Sequence, residues 1–426
     1  MPLIEDHPLR YRLANELHAR PFPTMPVPCT VLYVAIERAH DATDPSQDPA
    51  GTHLAALLDR HGAQHPQPGA THFTGAIGRH TLKWELHAEF VSYMAFSGGL
   101  GTRAFDPAEF AVFPDEWLAQ GPGRLFTSAT VRVMPRPNPD GFEKALNEWF
   151  VPESLAASSV RDGTAEIAGD FRIDPSGHLR FAVFADPEIG PRRVGGLVQR
   201  LCEIETYKSM SMLGFARARE IATPIDGLDA RLTGLMSDVS EGARPAEETL
   251  PQLLGIATEL EAIAAQSAFR FGATGAYEAI VNDRIAVLRE QRCAGRQTFR
   301  EFMIRRYQPA MRTVASTDRR LATLADRAMR AGQLLRTRVE VERSAQNQQL
   351  LKGMNRRADL QLRLQRTVEG LSVVAISYYA VSLAGYVLYP FASPSGMSEG
   401  MLGALITLPV VAFVWFLVRR VRRKIE

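Results

Sequence analysis

Two long apolar runs near the C-terminus dominate the hydrophobic pattern. Neither Gly370–Ala392 (GLSVVAISYYAVSLAGYVLYPFA) nor Gly400–Val418 (GMLGALITLPVVAFVWFLV) contains a charged residue. As a helix the first run spans about 33 Å, enough to cross the hydrocarbon core of a bilayer. Between the runs, Ser393-Pro394-Ser395-Gly396 is turn chemistry. One such run would also suit a buried core helix. Two in tandem, bounded by charge, predict a transmembrane helical hairpin over residues 370–418.

Upstream the pattern changes twice. CTVLYVAIE (29–37), HTLKWEL (80–86), EFVSYMAF (89–96), LFTSATVRV (125–133), AEIAGDFRI (165–173) and HLRFAVFA (178–185) are rich in β-branched and aromatic residues and predict strands. Helical patterns lie between them at Leu9–Ala19, His53–His61 and Gly141–Phe150, with Pro and Gly connections at 21–28, 45–51 and 135–140. Residues 1–188 therefore predict an α+β domain around a mostly antiparallel sheet. After Gly190 the strand signals stop, and 196–217 and most of 225–240 and 247–291 read as helical.

No proline occurs between Ala310 and Tyr389, and Leu321, Leu324, Ala328, Ala331 and Leu335 follow heptad spacing, as in a coiled-coil seam. Residues 189–369 thus predict a helical stalk that continues into the first membrane helix, with a break possible at Gly332 or Gly353. Unbroken from Leu321 to Gly370, that helix would measure roughly 75 Å.

Charge then orients the hairpin. Arg356, Arg357, Arg363 and Arg366 precede it, Arg419, Arg420, Arg422, Arg423 and Lys424 follow it in the tail 419–426, and the loop between has no Lys or Arg. The positive-inside rule places both ends in the cytoplasm. These basic residues are expected to contact anionic lipid headgroups, each worth about 1 kcal/mol near the surface. Trp415 and Tyr389 are candidate interfacial anchors, or they pack between helices. Higher in the stalk, the excess of 13 Lys+Arg over 5 Asp+Glu in 310–368 reads first as a solvated face.

Over the whole chain, 49 Lys+Arg against 47 Asp+Glu exclude a strongly basic nucleic-acid binder. Cys29, Cys202 and Cys293 form no CxxC pair, which argues against a disulfide framework or cysteine zinc site. The start, MPLIEDHPLRYR, lacks a basic and then apolar leader, so no signal peptide is expected.

Candidate chemistry is sparse. All ten histidines precede residue 188, and Glu-Leu-His-Ala occurs at 16–19 and 85–88. On a strand, Glu85, His87 and Glu89 would share one face and could bind a divalent metal or act as an acid–base pair; cross-strand hydrogen bonding is the plainer use. His53, His61, His65 and His72 are expected to decorate a loop and its flanks. There is no phosphate loop, GxGxxG, GxSxG or HExxH, and no cofactor is identifiable. In the first membrane helix, Tyr378, Ser382, Gly385 and Tyr389 recur at i, i+4, i+7 and i+11, a small-and-polar stripe. Such a stripe implies a partner: the second helix, other copies, or a pore.

Four segments together carry a resemblance: HPLRYRLANELHARP (7–21), QRLCEIETYKSMSMLG (199–214), TFREFMIRRYQPAMRT (298–313) and NRRADLQLRLQRTVEGLSVVAISYYAVSLAGY (355–386). Over essentially its whole length the chain closely resembles a bacterial family known only as uncharacterised membrane-anchored proteins with a domain of unknown function. That resemblance implies anchorage in the bacterial inner membrane and carries over no functional residue.

More loosely, the layout is similar to the CorA type of magnesium channel. That family has a cytoplasmic α/β domain, a long helix entering the first of two C-terminal membrane helices, a basic tail, and a pentamer around the first helix. Its Gly-Met-Asn signature belongs at the outer end of that helix. Here Gly353-Met354-Asn355 precedes the apolar run, and the signature position reads Gly385-Tyr386-Val387, so magnesium selectivity does not carry over.

The expected function is an oligomeric CorA-like assembly that passes or senses ions. The alternative is a membrane-tethered binding or scaffold protein whose soluble domain recruits a partner. An enzyme on a tether ranks last. Expected partners are the lipid bilayer and further copies of the chain, with no nucleic acid.

Overall fold

Burial of Val, Ile, Phe and Tyr side chains on both faces builds one nine-stranded sheet in a computed structural model, which describes residues 4–16, 21–38, 48–392 and 398–425. The strands are β1 (Cys29–Glu37), β2 (His72–Ile77), β3 (His80–Leu86), β4 (Phe90–Gly98), β5 (Leu125–Pro135), β6 (Ala156–Val160), β7 (Ala165–Ile173), β8 (Leu179–Ala185) and β9 (Gln291–Arg292). Their order is β2-β3-β4-β1-β5-β8-β7-β6-β9, and only β5 and β8 pair in parallel. All six predicted strands are present. The sequence reading missed β2, β6 and β9. Gly78, at φ 55°, opens the two-residue turn from β2 to β3, a conformation that strains residues bearing a Cβ.

The sheet belongs to a compact unit made of Met1–Ala243 and Pro251–Ala331. β1 and β4 are buried at nearly every position, because both of their faces are covered. On one face, α2 (Pro49–Arg60) and the short α3 (Asp115–Leu118) bring Leu54, Leu57, Leu58 and Trp117 onto Leu32, Val34, Trp84 and Tyr93. Further along, α4 (Pro139–Trp149) packs Phe142 and Leu146 with Ala168, Ala182 and Phe184. Both longer helices start the same way. A carboxylate or amide oxygen (Asp48, Asn138) accepts a backbone N–H three residues on (Gly51, Gly141), and Pro occupies the first turn. A shorter helix, α1 (Arg10–Glu16), covers all but Leu9 of the described part of the predicted Leu9–Ala19 segment.

His53 sits in the helix expected over 53–61, but in its buried face rather than as decoration on the flank of a loop. It lies inside α2, buried, with Nδ1 2.8 Å from the Tyr93 hydroxyl and Nε2 2.9 Å from the Trp117 carbonyl oxygen. The neutral ring protonated on Nε2 satisfies both: it donates to the carbonyl and accepts from the tyrosine. Burial lowers its pKa below the ordinary 6.5. The folded chain therefore binds this proton less readily than the unfolded one. The resulting stability is complete above about pH 6.5 and is lost as pH falls toward the lowered folded value. His178, stacked 3.6 Å from Phe110, is shifted the same way by burial. We expect the guanidinium unfolding midpoint to fall between pH 7.5 and 5.5, and to fall less in His53→Gln. An equal fall in the variant would reject the assignment.

After β8 the chain turns helical, as expected, through α5 (Pro191–Ser240), α6 (Ala246–Leu288), α7 (Phe299–Arg306), α8 (Gln308–Ala392) and α9 (Glu399–Ile425), with only the two-residue β9 between α6 and α7. α5 continues through Pro224 because Ile221, Ile225 and Leu228 around it are buried, and packing outweighs the lost hydrogen bond. α5 and α6 run antiparallel: Glu203 meets Arg284, Gly214 meets Thr274, and Arg231 meets Glu259. At Gly214 a Cβ would stand 2.1 Å from the Thr274 hydroxyl, so only glycine permits this approach. Thr298 and Glu301 form a reciprocal cap at α7. The predicted seam positions Leu321, Leu324, Ala328, Ala331 and Leu335 of α8 are all buried.

A second unit comprises Arg244–Leu250 and Gly332–Glu426. α8 passes Gly332 and Gly353 without a break. Among the described residues, α8 and α9 contain stretches long and apolar enough to cross a membrane, and those stretches are only 6% buried. The predicted turn at Ser393–Gly396 lies outside the described residues.

Candidate functional site

The two-residue period of a strand sends Lys83 and Glu85 of β3 to the sheet face opposite Leu82 and Trp84. Pairing aligns Lys83 with Met94, Met94 with Tyr33, and Glu85 with Ser92, so these side chains form one floor. Gln199, Cys202, Glu203 and Thr206 recur at i, i+3, i+4 and i+7 along α5 and form the opposite wall, with Arg284 of α6 beside them. The cleft between has a volume of about 300 Å³.

A chain of charge-assisted hydrogen bonds lines it. The Lys83 ammonium donates to Gln199 Oε1 at 2.7 Å and stands 3.2 Å from Glu85 Oε1. The Gln199 amide donates to Glu203 Oε1 at 2.7 Å, and Arg284 pairs with the other oxygen of Glu203. The Lys83 side chain is 4% exposed, a position where an unpaired ammonium would be strongly unfavourable; Glu85 and Gln199 make it tolerable. Thr206 donates to the Cys202 carbonyl, so the Tyr33 hydroxyl 2.8 Å away is the donor to Thr206. Burial pushes the Cys202 thiol and the Tyr33 hydroxyl well above their ordinary values. Neither is a nucleophile near neutral pH.

The predicted metal trio is only partly gathered there. β3 ends at Leu86 and β4 begins at Phe90, so His87 and Glu89 sit in the hairpin connection and do not share a strand face with Glu85. Glu85 and His87 line the cleft; the His87 ring stacks on Phe90 at 4.2 Å. Glu89 is engaged by α6, accepting from the Tyr277 hydroxyl at 2.6 Å and pairing with Arg270 at 2.7 Å. Among the described residues no three His, Cys, Asp or Glu side chains gather as a metal-ligand set. In the first Glu-Leu-His-Ala copy, residues 17–19 lie outside the described residues.

On α8, Tyr378 is 70% exposed, while Ser382 and Gly385 are half-buried. The side chain of Tyr389 lies outside the described residues, as do those of Arg422, Arg423 and Lys424. Arg356, Arg357, Arg363, Arg366, Arg419 and Arg420 are exposed, and the Arg419 guanidinium lies 4.9 Å over the Trp415 ring. Sequence reading missed Lys83, Gln199, Glu203 and Arg284. The one local signal was a lysine between Leu82 and Trp84 in an otherwise apolar strand.

No curated protein matches the chain. The family described as "Protein of unknown function (DUF3422)" matches residues 5–425, which take in the sheet, the cleft and both apolar helices, and the chain belongs to that family.

Proposed function

We propose that this is a membrane-anchored binding protein whose α+β unit takes up a small polar ligand in the cleft. The observation that carries the reading is the cleft itself: a buried lysine, two carboxylates and an amide, fixed by hydrogen bonds and walled by Phe22, Phe90 and Tyr207. A concave, largely pre-formed site with a few placed polar groups is the usual form of a small-molecule site. Anchorage rests on the exposed apolar stretches of α8 and α9, which water would not tolerate at that extent. With arginines on both flanks and none in the loop, the hairpin 370–418 enters the bacterial inner membrane as a multi-pass segment with both termini in the cytoplasm.

The topology is tested by single cysteines at Ser395 and at Glu426 in intact cells. An impermeant maleimide is expected to label the first and spare the second. Labelling of the C-terminal site from outside would overturn the orientation.

A second reading is favoured by α8, which runs 85 residues without a break into the first apolar stretch. Several copies gathered around that stretch would form a CorA-like assembly that passes or senses ions. Its measurable consequence is ion flux through reconstituted liposomes.

A further inference from the structure

We infer that the cleft takes a small organic carboxylate, with Arg200 as its anion-binding group. This rests on the cleft being a binding site and names the chemistry of its ligand. Lys83, Arg200 and Arg284 oppose Glu85 and Glu203 around the cavity, leaving one positive charge in excess. Lys83 is paired with Glu85, and Arg284 with Glu203. Arg200 has no carboxylate within 4 Å among the described residues; its hydrogen bond goes to the Gly196 carbonyl, 3.0 Å away in its own helix. Its guanidinium carbon lies 4.8 Å over the Phe22 ring, and at Gly196 a Cβ would press to 3.3 Å on both of them. The guanidinium is thus held over an aromatic ring, half-buried, with N–H donors beyond the one given to Gly196 left for a ligand.

Burial, and then the neighbouring Arg161 and Arg284, disfavour its charge, with Glu203 compensating only in part. An incoming anion would relieve that repulsion. A single excess charge matches a monoanion, and the planar fork of arginine matches a carboxylate. A phosphate dianion would leave the cleft negative. A cationic ligand finds both carboxylates already engaged. Phe22, Phe90, Tyr207 and Val287 supply apolar wall for the body of the ligand.

The test is calorimetric titration of the full-length protein in detergent with benzoate, its neutral isostere benzamide, and inorganic phosphate. Benzoate is expected to saturate one site, while benzamide and phosphate do not. Arg200→Gln should weaken benzoate at least tenfold. Val287→Trp, which fills the cleft from a half-exposed position, should abolish binding. Should Arg200→Gln fail to fold, Arg200→Lys keeps the charge without the fork and is expected to weaken binding several-fold. Saturation by phosphate or benzamide but not benzoate, lost in Val287→Trp, would overturn the carboxylate and leave the cleft as a binding site. If no probe saturates, or if benzoate binding ignores both Arg200→Gln and Val287→Trp, the cleft itself fails as a ligand site.

Discussion

Trp117→Ala is expected to destabilise the α+β unit by about 4 kcal/mol, within the range for truncating a buried tryptophan. Its side chain is wholly buried, stacked 3.9 Å on His53, and met edge-on by Tyr93 at 5.0 Å. The indole N–H donates to the His53 carbonyl at 2.9 Å, so truncation opens a large cavity and also removes a buried hydrogen bond that ties α3 to α2. The sheet itself contributes none of these partners except Tyr93, so the loss should loosen α2 and α3 first. Trp117→Phe keeps the stack, loses the hydrogen bond, and should cost about half as much. Guanidinium unfolding of the full-length protein in detergent, followed by tryptophan fluorescence, measures both. A loss below about 1 kcal/mol for Trp117→Ala would mean that α3 does not close this core.

That core illustrates how far the sequence could be read. Strands β1, β3, β4, β5, β7 and β8 stood out because β-branched and aromatic side chains announce a surface buried on one or both sides. β6, Ala-Ala-Ser-Ser-Val, has almost no such residues; it is buried because small side chains fit beneath α7 and against β7. β2 carries Gly75 and is exposed at alternate positions, so its signal was weak. The helical segments read at 196–217 and within 225–240 are one helix, α5, because tertiary packing carries it through Pro224.

The cleft was illegible for a different reason. Lys83 and Gln199 are hydrogen-bonded across 116 residues, and neither sits in a local motif. The His87–Glu89 reading assumed that the strand continued, whereas the chain turns there and gives Glu89 to Arg270 and Tyr277. The apolar runs, by contrast, were legible because their signal is local: length, charge at the borders, and none between.

The stripe on α8 separates a conducting assembly from a simple anchor. Tyr378 is exposed in the single chain, and Ser382 and Gly385 are half-buried, so the chain's own packing leaves part of the stripe open to a neighbouring copy. With the first apolar helices around a common axis and this stripe facing it, Ser382→Leu puts a bulky apolar group where a small hydroxyl stood. Flux into liposomes should fall to background, while insertion persists because leucine favours the bilayer. In an anchor the same change alters only helix packing, where an interhelical hydrogen bond averages about 0.6 kcal/mol, and no transport phenotype follows. The measurement is uptake of magnesium, potassium and protons by liposomes holding the wild-type chain or the variant. Wild-type liposomes impermeable to all three would count decisively against conduction and leave α8 and α9 as the tether of a binding protein.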